Sequence, residues 1–175
     1  HVLRPIRFAA PHAGPGEVRV RVKAAGVQPF DTALRGGRMA GNSAFPVEFP
    51  QCLGNEVAGI VDEGGVGVAG VALGDAVIGW SVMSSYAECV VVGADQIVGK
   101  PQAMPWDEAG ALSASGQTAH TALRALGVGV GDTLLVHAAA GGVGSIAVQL
   151  ARAWGARVIG TASPLSERCG FQQTA

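Results

Sequence analysis

The sequence predicts an α/β chain in two parts: a compact, barrel-like β domain over residues 1–104, then the start of a doubly wound parallel α/β domain over 105–175. Three observations carry this expectation. Short apolar runs at turn-marked spacing fill the first part, with little helix among them. An Ala- and Leu-rich helical stretch follows Pro105. A strand, a glycine turn, a helix and a second strand then succeed one another over 133–162, which is one right-handed βαβ unit.

Glu17 to Ala24 alternates apolar and charged residues with period two, the mark of a half-buried antiparallel strand. Gly-Pro-Gly at 14–16 supplies the turn before it. Pro29 to Arg35 predicts a short helix with Asp31 near its start, and 38–50 reads as a loop. Glu56 to Asp62, the run that ends at Gly79, Tyr86 to Val92 and Gln96 to Lys100 are further strand candidates. Asp107 to Leu126 reads as two helical stretches broken near Ser115-Gly116. Thr133 to Ala138 reads as a short apolar run, typical of a strand buried on both faces of a parallel sheet. Ser145 to Trp154 has helical periodicity, Gly155 stops it, and Arg157 to Ala162 is the next strand. One βαβ unit cannot cover both faces of a parallel sheet, so the expectation is a chain cut short before that domain is complete. The opening His1 in place of Met likewise implies a natural start that is missing or replaced.

Composition narrows the function classes. Hydrophobic residues make up 49% of the chain and charged residues 14%, which suits a buried core and not disorder. A net charge of -1 with no basic stripe leaves nucleic acid without an electrostatic footprint. No apolar run has the length of a membrane span, and the opening residues lack a signal-peptide pattern. Cys52, Cys89 and Cys169 are far apart and lack C-x-x-C spacing, which argues against a disulfide framework or a zinc lobe. Each reads as a small buried hydrophobe in a reducing, cytoplasmic setting.

The strongest chemical signal is Ala138-Ala139-Ala140-Gly141-Gly142-Val143-Gly144. Glycines at a strand-to-helix turn let the backbone approach a pyrophosphate, and the helix start offers free N–H groups and a positive dipole end. Gly144 permits close packing of helix on strand. The strand before and the helix after supply the context that a bare glycine motif lacks; the rival reading is a plain structural turn. Where an NAD site carries Asp or Glu on the ribose 2′-OH, this chain reads Gly160-Thr161-Ala162-Ser163. Ser163 can hydrogen-bond a 2′-phosphate, and Arg168 follows with a planar fork of donors. NADPH is therefore the expected cofactor. Arg168 also reads as an ordinary helix charge, and Glu167 beside it weighs against the phosphate role.

These residues resemble a known family. GPGEVRVRVKAAGVQPFDTALRGG, LGNEVAGIVDEGGVGVAGVALGDAVIG, SYAECVVV and the long run from Gly116 to Ser163 are similar to medium-chain dehydrogenases/reductases, in the zinc-independent quinone oxidoreductase branch. The resemblance fades after Ser163. It implies a GroES-like substrate domain followed by a Rossmann domain, with the active site in the cleft between them, and a homodimer in the full-length protein. Zinc-bearing relatives carry a Cys after the first strand and a His in Gly-His-Glu. This chain has Gln28 in the first region and Asn55 in Gly54-Asn55-Glu56, and amides are poor zinc ligands beside thiolate and imidazole. What remains is hydride delivery from NADPH to an electrophile already polarised by conjugation, a small quinone or enone.

The resemblance further implies pocket roles for Gln28, Asp31 and Thr118. Gln28 stands where many relatives have Asn. Thr118 is expected beside the nicotinamide carboxamide. Asp31 is expected to order the pocket, with a helix N-cap as the alternative. Relatives often have a Tyr after the glycines matching Gly36-Gly37; Arg38-Met39 stands there, so the proton donor is open, water included. His137 reads as a hydrogen-bonded core residue, His120 as helix surface, Tyr86 as packing, and Trp80, Trp106 and Trp154 as core or interface. Three functions stay in play: a quinone reductase, an enoyl or enone reductase, and a non-catalytic NADPH-binding protein.

Overall fold

A computed structural model describes residues 3–39, 41 and 50–163. The chain separates into two compact units, His1–Ser113 and Ala114–Ala175.

The first unit is one antiparallel sheet of β1 (Glu17–Ala24), β2 (Glu56–Gly64), β3 (Ala76–Trp80), β4 (Cys89–Gly93) and β5 (Ile97–Gly99), in the order β4-β1-β2-β3-β5. Its two edge strands are consecutive in the chain, joined only by the 3-10 turn Ala94–Gln96. That link reaches at most roughly 14 Å, whereas a flat five-stranded sheet would hold its edges about 19 Å apart. The sheet must therefore curl toward a barrel. Register shifts in the β1–β2 pairing, at Arg19/Val20 and Val22/Ala24, add to the bend. The period-two pattern of β1 works as expected: Val18 and Val20 face inward and join Val57, Val61, Val77, Val90, Val92 and Ile97 in the core.

On the opposite face, Ala58 and Ile78 stand directly across from each other and are covered by the short helix α2 (Trp106–Gly110) through Ala109. β2 is thus buried on both sides, with Glu56 on the face it shares with Ala58. The helix α1 (Pro29–Arg35) has the predicted bounds. The strand expected from Tyr86 begins only at Cys89, because Tyr86 turns aside to hydrogen-bond elsewhere. Trp80 keeps 37% of its surface exposed, Cys52 is exposed and Cys89 half-buried, so the expectation of buried thiols fails for Cys52; Cys169 lies outside the described residues.

In the second unit, β6 (Thr133–Val136) and β7 (Arg157–Gly160) pair in parallel and are bridged by α4 (Gly142–Ala153). The helix α3 (Ser113–Ala125) contains Gly116; the break between α2 and α3 falls at Ala111-Leu112, earlier than the sequence suggests. Ala119, Leu123, Ala147, Ala151 and Ala156 form a core against Leu134 and Val158. The other face of the strands is open: Leu135 is 53% and Ile159 50% exposed. β6 is therefore covered on one side only among the described residues. For the same reason His137 is exposed rather than in a core, with Nδ1 3.0 Å from Thr161 Oγ1.

Candidate functional site

Two clusters gather the residues singled out above, one in each unit. The first is built on the entry to α1. Asp31, at the third position of the helix, accepts the backbone N–H of Gln28 on Oδ2 at 2.8 Å. This is the return half of a capping box rather than an N-cap. Oδ1 accepts from Gly54 N at 3.2 Å and from Asn55 Nδ2 at 3.0 Å. The Tyr86 hydroxyl lies 3.1 Å from Asp31 Oδ2 and 3.2 Å from the Gly26 carbonyl. A carboxylate only 2% exposed is thus held by donors from four residues, which is how a buried charge remains tolerable without a cation.

Gly54 is required in this arrangement. Its φ is +89°, and a side chain there would run into the Tyr86 ring. The sharp turn it makes presents its own N–H and the Asn55 amide to the same carboxylate. Asn55 is engaged at both ends, since its Oδ1 accepts from Met83 N at 3.2 Å.

Glu56 is fully buried beside this cluster, and the Gln28 side-chain amide donates to its Oε1. The carboxyl lies against Gly26, where a Cβ would occupy its place. Gln28 is therefore tied by its backbone to Asp31 and by its side chain to Glu56.

Tyr86 has its hydroxyl pushed up to about 12. Burial is the largest cause, followed by the charge and hydrogen bond of Asp31 and the charge of Glu56. It stays protonated at neutral pH and acts as a donor within the network. Sequence reasoning read this residue as packing. The available signal was that a chain with one tyrosine places it beside Ser84-Ser85, in a turn-forming stretch and not inside an apolar run.

Gln28 and Asn55 spend their amides on Glu56, Asp31 and Met83, and no group of three or more His, Cys, Asp or Glu able to hold a metal occurs among the described residues. Such a set does not fit zinc.

The second cluster is the turn from β6 to α4. Ala138 takes φ +55°, a left-handed conformation that costs a non-glycine residue about 1–2 kcal/mol. Its carbonyl accepts Gly141 N at 2.9 Å. Gly144 is buried, and a Cβ there would collide with the Ala138 carbonyl and the Ala139 Cα. Only glycine lets the helix start this close to the strand. Ala139 is buried and anchors the turn to the next strand through Thr161 O at 2.9 Å; Ala140 is half-buried. Gly141, Gly142 and Val143 are exposed.

The first hydrogen bond of α4 runs from Ser145 N to Gly141 O at 2.8 Å. The N–H groups of Gly142, Val143 and Gly144 precede it and have no intrahelical acceptor. This bare, glycine-lined helix start fits a dinucleotide diphosphate. Thr118, on α3, donates its hydroxyl to Ala114 O at 2.7 Å and is exposed. Ser163 is exposed at the end of the described segment, and Arg168 lies outside the described residues. His120 is on the helix surface, edge-on to Trp154 with ring centroids 5.6 Å apart.

Comparison with known proteins supplies the deciding observation. Residues 14–140 match the family described as the alcohol dehydrogenase GroES-like domain. The chain belongs to the medium-chain dehydrogenases/reductases. Within that superfamily its relatives are quinone oxidoreductases and polyketide enoyl reductases. The spectinabilin polyketide synthase system protein NorB of Streptomyces orinoci is 41% identical over 168 residues, covering 93% of this chain and 7% of that protein. The structure of CurK enoyl reductase superposes with a TM-score of 0.84 at 29% identity, over 93% of this chain and 50% of that one. The Escherichia coli quinone oxidoreductase complexed with NADPH superposes with a TM-score of 0.79 at 34% identity, over 93% and 49%. The chain thus spans about half the length of these reductases. No helix among the described residues is long and apolar enough to cross a membrane.

Proposed function

We propose that this chain is the substrate-binding part and the beginning of the nucleotide-binding part of an NADPH-dependent reductase. It delivers hydride to a conjugated electrophile without zinc. The observation that carries the reading is the pairing of a glycine-lined helix start at Gly141–Gly144 with an amide and carboxylate cluster where zinc-bearing relatives have metal ligands. NADPH supplies the hydride when bound. The protein's task is to hold and orient, and to keep water from competing. The backbone N–H groups of Gly142, Val143 and Gly144 receive the diphosphate, and Ser163 and Arg168 the 2′-phosphate. Thr118 offers its hydroxyl to the nicotinamide carboxamide. Gln28 meets the substrate, and Asp31 holds the Gln28 backbone in place. The Tyr86 hydroxyl is engaged with Asp31 and the Gly26 carbonyl, so water is taken as the proton source for the reduced product.

Quinones are the first substrate class, supported by the likeness to the NADPH-complexed quinone oxidoreductase. Enoyl groups are the second, favoured by the 41% identity to a polyketide synthase protein and the likeness to CurK enoyl reductase. Following NADPH oxidation with a benzoquinone, a simple enone and an enoyl thioester, with and without a zinc chelator, tests both. Turnover of at least one substrate, insensitive to chelator, is expected. Stoichiometric zinc, or a preference for NADH, overturns the reading.

A further inference from the structure

We propose that Glu56 is a positioning residue that works through Gln28, fixing the direction in which the Gln28 amide is presented to a ligand. Glu56 is fully buried on the outward face of β2, and the wall around it is tight: Gly26 lies against its carboxyl, and the Ala111 backbone borders the same space. Into this space Gln28 sends its side-chain nitrogen, which donates to Glu56 Oε1. A primary amide has two distinguishable ends, and an ionised carboxylate accepts only. With the nitrogen on Glu56, the carbonyl oxygen points away. The reversed amide would set oxygen against oxygen with no proton between them, losing this hydrogen bond.

Rotation of the residue as a whole is blocked separately, because the Gln28 N–H is held by Asp31, which is itself held by Gly54, Asn55 and Tyr86. Gln28 is half-buried, so its amide lies at the margin of the cluster and not sealed within it. The group left for a ligand is a fixed acceptor oxygen, suited to a neutral donor such as a hydroxyl or an amide N–H on substrate or cofactor. Nothing in the sequence pairs residues 28 and 56; the fold does.

The inference rests on the proposed function only in taking Gln28 to touch a ligand. Its test is a double-mutant cycle in the full chain with Gln28→Ala and Glu56→Gln, the latter able to accept either end of the Gln28 amide. Glu56→Gln is expected to lower kcat/KM for the electrophile by roughly 10- to 100-fold, the scale of a misoriented group. In the Gln28→Ala background the same change should have less than about a twofold further effect. Independent, multiplying losses would overturn the proposal.

A second reading needs no turnover and is made on the wild-type chain alone. In the ligand-free wild-type chain, the Gln28 side-chain amide should exchange with water markedly more slowly than the amides of exposed glutamines. A Gln28 amide pair exchanging as freely as those of exposed glutamines overturns the proposal. Absence of turnover with every quinone and enone would sink the proposed function instead, and leave the amide measurement to decide this one.

Discussion

The two candidate clusters are opposite kinds of construction. The cluster around Asp31 is made of side chains: Gln28, Asn55, Glu56 and Tyr86 come from three separated stretches of sequence and hydrogen-bond with one another around a buried carboxylate. The turn at Gly141–Gly144 is made largely by removing side chains, three of its four residues being glycine. The first sets a polar group in a chosen direction, and every member depends on the others. The second makes room, and depends on a single close approach, Gly144 to Ala138. Substitution should therefore unravel the first cooperatively and block the second sterically.

The largest effect is expected from Asp31→Ala. It strands the buried Gly54 N–H and takes the acceptor from the Gln28 N–H and the Asn55 amide, for a loss of about 3 kcal/mol in denaturant melts, together with loss of turnover. Asp31→Asn, which keeps the shape, should lose less. Gly144→Val comes next. The new side chain meets backbone and not a flexible neighbour, so about 1–3 kcal/mol of stability is lost, and NADPH binding followed by tryptophan quenching should weaken at least tenfold. An unaltered NADPH titration for this variant would remove the contrast between the two clusters.

Tyr86 gives a spectroscopic view of the first cluster, because it is the single tyrosine in the chain. Its ultraviolet titration should centre near about 12 and fall toward the ordinary tyrosine value in Asp31→Asn. The folded value lies above the unfolded one. The stability linked to this group is therefore fully present below about 10 and is lost as pH rises toward about 12. Tyr86→Phe should flatten that part of the pH profile. The smallest effect belongs to Thr118→Val. The hydroxyl bonds only its own helix and is exposed, so stability should change by less than about 0.5 kcal/mol, and any loss of NADPH affinity reports contact with the cofactor.

The same contrast explains what was legible beforehand. The glycine turn is local: strand, glycines and helix are contiguous, and each leaves its own periodicity, so Gly141–Gly144 could be assigned from residues alone. The bounds of β1 and α1 were legible for the same reason. The Asp31 cluster was legible only in part. Gln28, Asn55 and Glu56 drew notice through the resemblance to zinc-bearing relatives, but their mutual bonds depend on the curl of the sheet and the turn at Gly54. No spacing rule contains those. Tyr86 was misread because an aromatic beside a strand looks like packing until its hydroxyl finds a carboxylate. His137 and the apolar strand β6 read as parts of a completed sheet, which the βαβ unit alone was not expected to provide. Their composition implies cover on both faces, while the described residues provide it on one.

Backbone amide resonances of the intact chain, followed during addition of NADPH, test the central claim most directly. The largest shifts should fall on Gly142, Val143 and Gly144, and NADH at equal concentration should produce smaller ones. Saturating NADPH that leaves these three amides unmoved while shifting residues elsewhere would contradict the assignment of this turn as the diphosphate site.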